Sequence, residues 1–233
     1  MARGYDNSAV LQQTVLDIPM FEGNGALAHD ISRQVATDKT MTLTGVPAWY
    51  NSPLANVPML DFDAAGPDLL SLAAASCADL NFTTGSFSGA VWIYAHTIVG
   101  SIRTLMCRGL LSTDGWFFAI GADGYLYFVT NQLAENQVSF SANGTIVAVA
   151  WYLVGFTRFN NAVKVFRNGA NITATSANHV DILTSARDLH IGVYDDHTWP
   201  FDGYMWRPRV WNRLLSDLEQ AELFQQERTL FGV

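Results

Sequence analysis

Short apolar runs with strand-like spacing recur along almost the whole chain, separated by polar turns. The runs at 15–20, 40–43, 59–62, 89–96, 104–110, 115–120, 125–130, 146–156, 162–167, 189–193 and 204–211 are rich in Val, Ile, Phe, Tyr and Trp. β-Branched and aromatic side chains suit a pleated, half-buried surface, so each run predicts a strand. Asp123-Gly124 and Asn168-Gly169 fall between neighbouring runs, where glycine supplies the positive φ of a tight hairpin, and Asn143-Gly144 turns the chain into the run that follows. Long antiparallel strands bury both apolar sides only by pairing two sheets face to face. The pattern therefore predicts an all-β, two-sheet antiparallel β-sandwich.

Only the tail has a helical pattern, over about 215–228. Ser216 followed by Glu219 has the spacing of a capping box, and Leu215, Leu218, Leu223 and Phe224 fall close to one face. The strand before it, "FDGYMWRPRVWN" at 201–212, combines aromatics with arginine. Strict alternation puts Tyr204, Trp206, Pro208 and Val210 on the core face, with Met205, Arg207, Arg209 and Trp211 on the other. The expectation is a closing strand with a solvated arginine face, or a face that packs against neighbouring molecules, because Arg and aromatics are enriched at interfaces.

Composition narrows the setting. Of 233 residues, 49% are hydrophobic and only 15% charged, enough apolar surface for one substantial core. The net charge is −8, and Lys39 and Lys164 are the only lysines, so no basic stripe exists for a phosphate backbone and nucleic acid is excluded as a partner. Cys77 and Cys107 match no metal spacing and predict two buried thiols, or one bridge. No apolar run is long enough for a membrane span, and the polar start "MARGYDNSAVLQQ" has no signal-peptide character. No repeat or charge run divides the chain, so a polar N-terminal arm, residues 1–13, precedes a single domain over 14–233.

Candidate chemistry is sparse. A glycosidase needs two carboxyls on either side of the scissile bond, and the one close alternate pair is Asp61 and Asp63 in "MLDFD". No glutamate accompanies them to be tuned as an acid, which argues against hydrolysis. In "GSFSG" Phe87 stands at the nucleophile position, and the five histidines lack zinc spacing. Glu22, Asn24 and Asp30 crowd a Gly-rich turn and offer the hard oxygen ligands that calcium prefers, unless Asp30 merely caps its own turn. The loop "YDDHTWPFDG" sets Asp195, Asp196 and His197 beside Trp199, the combination of aromatic plate and planar polar groups suited to a sugar.

"IPMFEGNGALAHDIS" at 18–32, "MLDFD" at 59–63, "FSGAVWIYA" at 87–95, "VKVFRNG" at 163–169, "LHIGVYD" and "FDGYMWRPRVWNRLLSDLEQAELF" follow one another in an order that resembles laminin-G-like, concanavalin A-like jelly rolls. The resemblance covers about 18–228 and departs from the family at Met205 and Trp206. It implies a concanavalin A-like jelly roll, and a structural calcium at the 22–30 loop to which Asp202 contributes from the final strand region. Standalone domains of this kind resemble tailed-phage proteins. The function expected on that analogy is a non-catalytic virion surface component, a capsid decoration or a tail or adhesion protein, with virion proteins, cell-surface glycans and further copies of itself as partners. The alternatives are a calcium-assisted lectin and, behind it, a glycoside hydrolase resting on Asp61 and Asp63.

Overall fold

A computed structural model of the protein describes residues 9–32, 39–52, 54–66, 68–132 and 135–233. Residues 1–8 of the expected N-terminal arm lie outside them. Strands are numbered along the chain. One sheet contains β1 (Thr14–Asp17), β4 (Ala48–Asn51), β5 (Pro58–Phe62), β7 (Phe87–Ala95), β12 (Trp151–Phe159), β13 (Ala162–Arg167), β14 (Ala170–Asn171) and β17 (Gly203–Trp211). Its order is β14-β13-β12-β7-β17-β5-β4, with β1 also on β17. The other contains β2 (Leu27–Ala28), β3 (Met41–Thr44), β6 (Leu69–Leu72), β8 (Arg103–Leu110), β9 (Asp114–Ile120), β10 (Leu126–Asn131), β11 (Asn136–Ser141), β15 (Thr173–Thr175) and β16 (Leu189–Ile191). These run β15-β11-β10-β9-β8-β16-β6-β3-β2. Pairing is antiparallel throughout, so the predicted sandwich is formed.

The sheets meet through aromatics. Phe87 and Phe156 of the first sheet interleave with Trp116, Phe118 and Phe128 of the second; Phe128 and Phe156 stack at 4.3 Å between centroids, and Phe87 meets Trp116 at 5.7 Å. Gly89 lies opposite Phe156 in the β7–β12 register, and a Cβ there would sit 2.5 Å from that ring. The glycine in "FSGAVW" is thus a packing requirement. Both cysteines are buried and free, so the bridge is not made.

Several elements differ from the sequence pattern. The run at 146–156 becomes a strand only from Trp151, because Ile146 turns inward and donates its N–H to the Gly124 carbonyl at 2.8 Å. Strands β2, β4, β6, β11 and β15 were not marked by the pattern. All but β11 have four residues or fewer, and β11, as long as β10 and β13, is mostly polar, its exposure settled by neighbouring strands.

The closing strand requires the main correction. β17 lies in the interior of its sheet, between β7 and β5, and Trp206 pairs with Trp92 whereas Arg209 pairs with Ala90. Two residues on β17, Arg207 and Pro208, thus oppose the single Val91 on β7, a bulge in which Arg207 adopts φ +50°. The extra residue inverts the alternation beyond it. Met205 and Val210 enter the core, while Tyr204, Trp206, Arg209 and Trp211 share the outer face with Tyr94, Trp92, Ala90 and Ser88. That face is not solvated where the arginines sit: Arg207 is 4% and Arg209 0% exposed.

A second layer covers it. Helix α1 (Asp217–Glu227) buries Gln220, Leu223 and Glu227, and the tail stacks Phe231 on Trp92 at 4.3 Å. Leu218, expected on the packed face, is 77% exposed, because the face turned to the sheet is the one that delivers Glu227 to Arg209. The turn Ala9–Leu11 covers Trp211, whose Nε1 donates to the Val10 carbonyl at 2.7 Å. Arg207 forms a two-point pair with Asp17 at 2.8 and 2.9 Å. The helix starts as predicted: Ser216 Oγ accepts from the Glu219 N–H, and the Glu219 carboxylate accepts from the Ser216 N–H. Ser216→Ala is expected to cost about 1 kcal/mol in urea unfolding, the usual weight of such a cap; an unchanged midpoint would show that tertiary packing alone fixes the helix start. The predicted Asn168-Gly169 turn has both residues at positive φ, 52° and 77°. A Cβ at 169 would approach Ala221 Cα to 2.6 Å, so the turn is also the seat of the helix.

Candidate functional site

The residues expected to hold a sugar lie in a compact turn after β16. Tyr194 donates its N–H to the Thr198 carbonyl at 3.0 Å, and His197 and Trp199 take φ of 63° and 52°. Much of the polar chemistry is used internally. Asp195 pairs with Arg187 at 2.5 Å, and Asp196 Oδ1 accepts from the N–H and hydroxyl of Thr198. The half-buried Trp199 ring rests on Tyr194 at 4.8 Å and Phe117 at 6.0 Å. It edges an apolar cluster on the outer side of the second sheet with Cys107, Phe117 and Tyr127. Burial pushes the Cys107 thiol well above its ordinary pKa, so it carries no nucleophile. His197 leaves this group and lines a hollow of about 410 Å³ with Val46, Asp63 and Asp68.

The loop expected to bind calcium is likewise self-satisfied in part. Asp30 Oδ1 accepts from the Asp17 and Ser32 N–H groups at 2.7 and 3.0 Å, and its Oδ2 accepts from the Ser32 hydroxyl. Asp30 thus caps its own turn and holds β1, and burial raises its pKa despite those hydrogen bonds. Glu22 Oε1 accepts from the His29 N–H at 2.8 Å, while Oε2 is buried without a hydrogen-bond partner. Asn24 donates to the Glu22 carbonyl. Asp202 does not join them; among the described residues, no three His, Cys, Asp or Glu side chains gather as a metal site.

Asp202 lies instead where β5, β7 and β17 end together. His96 stands between two carboxylates, its Nδ1 3.4 Å from Asp202 and its Nε2 3.9 Å from Asp61. These three residues, with Val46, Asp63 and Asp68, line an open cleft of about 370 Å³ that shares Val46, Asp63 and Asp68 with the hollow at His197. Asp68 is a structural cap, accepting from the Val46 and Asp63 N–H groups, and Asp63 caps Ala65. The two carboxylates weighed for hydrolysis thus border the same cleft but differ in role: Asp61 faces His96, while Asp63 caps its own turn.

An aromatic platform adjoins the cleft. Tyr204 stacks on Tyr50 at 4.5 Å with 15° between planes, meets Tyr94 at 5.6 Å, and takes the edge of His96 at 4.8 Å. Trp151 extends the row, 5.3 Å from Tyr94 and 6.2 Å from Tyr204. All four rings are half-buried, so part of each remains open to water. Register assembles them: Tyr204 faces Tyr94 across β17–β7 and Asp61 across β17–β5, and Trp151 faces Tyr94 across β12–β7. Burial first, then Asp61 and the neighbouring tyrosines, raises the Tyr204 pKa, and the hydrogen bond between its hydroxyl and the Tyr50 side chain adds to the rise. Sequence reading missed this site because its members come from four strands. The local trace was the alternation Trp92, Tyr94 and His96, along β7 and just past its end, followed by Asp202 just before β17 and Tyr204 within it.

Solved structures of similar shape include toxin binding domains. The binding domain of Paraclostridial Mosquitocidal Protein 1 superposes with a TM-score of 0.74 at 12% identity, over 93% of this chain and 53% of that one. The botulinum neurotoxin serotype G binding domain gives 0.69 at 13% identity, over 92% and 51%. Botulinum neurotoxin type C, which interacts with two ganglioside molecules, gives 0.64 at 14% identity, over 94% and 52%. The chain thus spans about half the length of these structures, and at such identity the likeness concerns the fold. No curated protein matches the sequence. The family profile that does match covers residues 71–219, more than half of the chain and most of both sheets, and on that match the chain belongs to the concanavalin A-like lectin/glucanases superfamily.

Proposed function

We propose that this domain is a non-catalytic carbohydrate-binding module whose ligand lies on the Tyr50–Tyr204–Tyr94–Trp151 platform. The observation that carries the reading is the platform itself: half-open rings in a row, bordered by Asp61, His96 and Asp202 at a cleft of about 370 Å³. Sugar rings present apolar faces to aromatic planes and hydroxyls to flanking acceptors and donors. Family membership is compatible with lectins and glucanases alike, and the binding domains of similar shape support binding over turnover. The test is a glycan array followed by titration of the best ligand. Tyr204→Ala is expected to weaken that ligand about tenfold or more, a loss of about 1.4 kcal/mol, while leaving the melting temperature within a few degrees. Steady release of reducing ends from a polysaccharide would defeat the non-catalytic reading.

A second reading places the sugar on Trp199, favoured by its half-exposed ring beside Tyr194. Trp199→Ala rather than Tyr204→Ala would then abolish binding. Calcium at the 22–30 loop is part of the same proposal, supported by the buried Glu22 Oε2, which a cation would satisfy. Running the array with calcium and with chelator tests it, since chelator-insensitive binding removes the ion from recognition. The likeness of jelly rolls of this kind to tailed-phage proteins is a fold-level analogy that supports display of the module on a virion, as capsid decoration or tail or adhesion protein. Its absence from purified particles would defeat that placement.

A further inference from the structure

The turn after β16 brings two imidazoles together, away from the aromatic platform. His190 of β16 and His197 of the turn lie 5.5 Å apart between ring centroids, with 69° between their planes. Their settings differ: His190 is 7% exposed, whereas His197 is open to water and lines the hollow of about 410 Å³. The buried ring has one nitrogen to spare. Its Nδ1 has no hydrogen-bond partner, so the bond that the ring makes to the Tyr194 carbonyl belongs to Nε2. The same carbonyl accepts from the His197 N–H at 2.9 Å, and one backbone group thus positions both residues. A buried polar atom left in this way calls for an occupant that supplies the missing interaction. Edge-to-face packing accounts for the approach of the rings but gives that nitrogen nothing. Cys107, opposite His190 in the β16–β8 register, does not fill the place, because its thiol donates to the Gly109 carbonyl.

We infer that His190 and His197 form a binding site for a divalent transition-metal cation of the kind that prefers nitrogen, such as Zn²⁺, Ni²⁺ or Cu²⁺, with the remaining coordination positions open to the hollow. Two imidazoles on one tetrahedral ion, each nitrogen ~2.0–2.1 Å from the metal, hold their ring centres about 5 Å apart, so the observed spacing leaves room for an ion between them. A ligating imidazole is fixed in tautomer and orientation when its other N–H donates to a backbone carbonyl, which is what Tyr194 provides for His190. The φ of +63° at His197 turns the chain back on itself, so the pair is made by the turn and not by a linear motif. The surroundings attract a cation: the charges of Asp195 and Asp188 act on His190, and Asp63 and Asp68 line the hollow. Two side chains make an open, exchangeable site, in keeping with the absence of any group of three ligands among the described residues. Imidazole suits Zn²⁺, Ni²⁺ and Cu²⁺, whereas Ca²⁺ and Mg²⁺ take oxygen. The inference stands apart from the carbohydrate platform and from calcium at the 22–30 loop.

The experiment is isothermal titration of the intact chain with the chlorides of zinc, nickel, copper(II) and calcium, joined to electron paramagnetic resonance of the Cu²⁺ form. Affinity is expected to rise from Ni²⁺ to Cu²⁺ and to fall again at Zn²⁺, the order that such ligands impose, and the Cu²⁺ spectrum to show coupling to two imidazole nitrogens. His197→Asn is the variant of choice, because Asn tolerates the left-handed conformation at that position. It is expected to bind Zn²⁺ at least about tenfold more weakly, to keep its melting temperature, and to retain coupling to one imidazole nitrogen. His190 is buried, so its part is read from the spectrum of the parent and not from a variant that risks the fold. Full Zn²⁺ affinity in His197→Asn would overturn the assignment, as would a parent spectrum with coupling to one nitrogen or none. Ca²⁺ bound as tightly as Zn²⁺ and lost in the same variant would overturn the nitrogen preference. Silence with all three transition metals would overturn the site.

Discussion

Glu227→Ala is expected to lower the unfolding free energy by about 3–5 kcal/mol, a large share of the roughly 5–15 kcal/mol that holds a domain together. Glu227, the last residue of helix α1, is fully buried, with both oxygens 2.7 Å from the Arg209 guanidinium and Oε2 also accepting from Trp92 Nε1 at 2.7 Å. Its Oε1 lies 3.8 Å from Arg207, which links this pair to Asp17. Removing the carboxylate deprives a guanidinium that is 0% exposed of its two-point partner and leaves an indole N–H without its acceptor. The cost is that of a buried charge losing its counter-charge, which is larger than the net worth of the pair. Replacing both partners, Arg209→Met with Glu227→Leu, removes both charges together and is expected to recover much of the loss. Urea unfolding of the three proteins decides. A single variant within about 1 kcal/mol of the parent would mean that water reaches the arginine once the carboxylate is gone.

The second large effect is a dependence of stability on pH. His179 is fully buried, with Nδ1 2.9 Å from Thr130 Oγ1 and Nε2 2.7 Å from Ser139 Oγ. Burial, and then the charge of Arg158, lowers its pKa from 6.5 to about 4. Above pH 6.5 the imidazole is neutral whether the chain is folded or not, and it contributes no slope. Between about pH 6.5 and 4 the unfolded chain takes up a proton that the folded chain refuses, so stability falls as pH falls. The loss levels off below about pH 4, at about 3 kcal/mol. His190, whose pKa burial also lowers, adds in the same direction, whereas Asp30 and Asp61, raised by burial, act in the opposite one. Comparison with His179→Gln isolates the term: the variant is expected to show a shallower decline over this range, so that its stability relative to the parent improves as pH falls. Parallel curves for the two proteins would show that His179 is not the group responsible.

The all-β class, most of the strands, the capping box at Ser216 and Glu219, and the type of the Asn168-Gly169 turn were all legible in the sequence, because each is set by neighbours a few residues away. Alternation reports burial on a pleated strand, and a cap needs only three residues to close its hydrogen bonds. Strands β4, β6 and β11 were not legible, since they are held by pairing with distant strands rather than by their own composition. The faces of β17 were misread for a stronger reason. One extra residue at Arg207 and Pro208 inverts the period, and the carboxylates that bury Arg207 and Arg209 come from residues 17 and 227, near opposite ends of the chain.

The candidate site divides in the same way. The sequence by itself determined which carboxylates were available, including Asp61 and Asp202, and it singled out Trp199 rather than the platform rings as the aromatic plate. Only the tertiary structure decided that Asp202 leaves the 22–30 loop for His96, that Trp199 rests on Phe117, and that Tyr50, Tyr94, Trp151 and Tyr204 form one surface. Those rings lie on β4, β7, β12 and β17, and what brings them within contact is strand register. Register depends on backbone hydrogen bonds and core packing summed over whole sheets, a quantity that no local stretch of sequence contains.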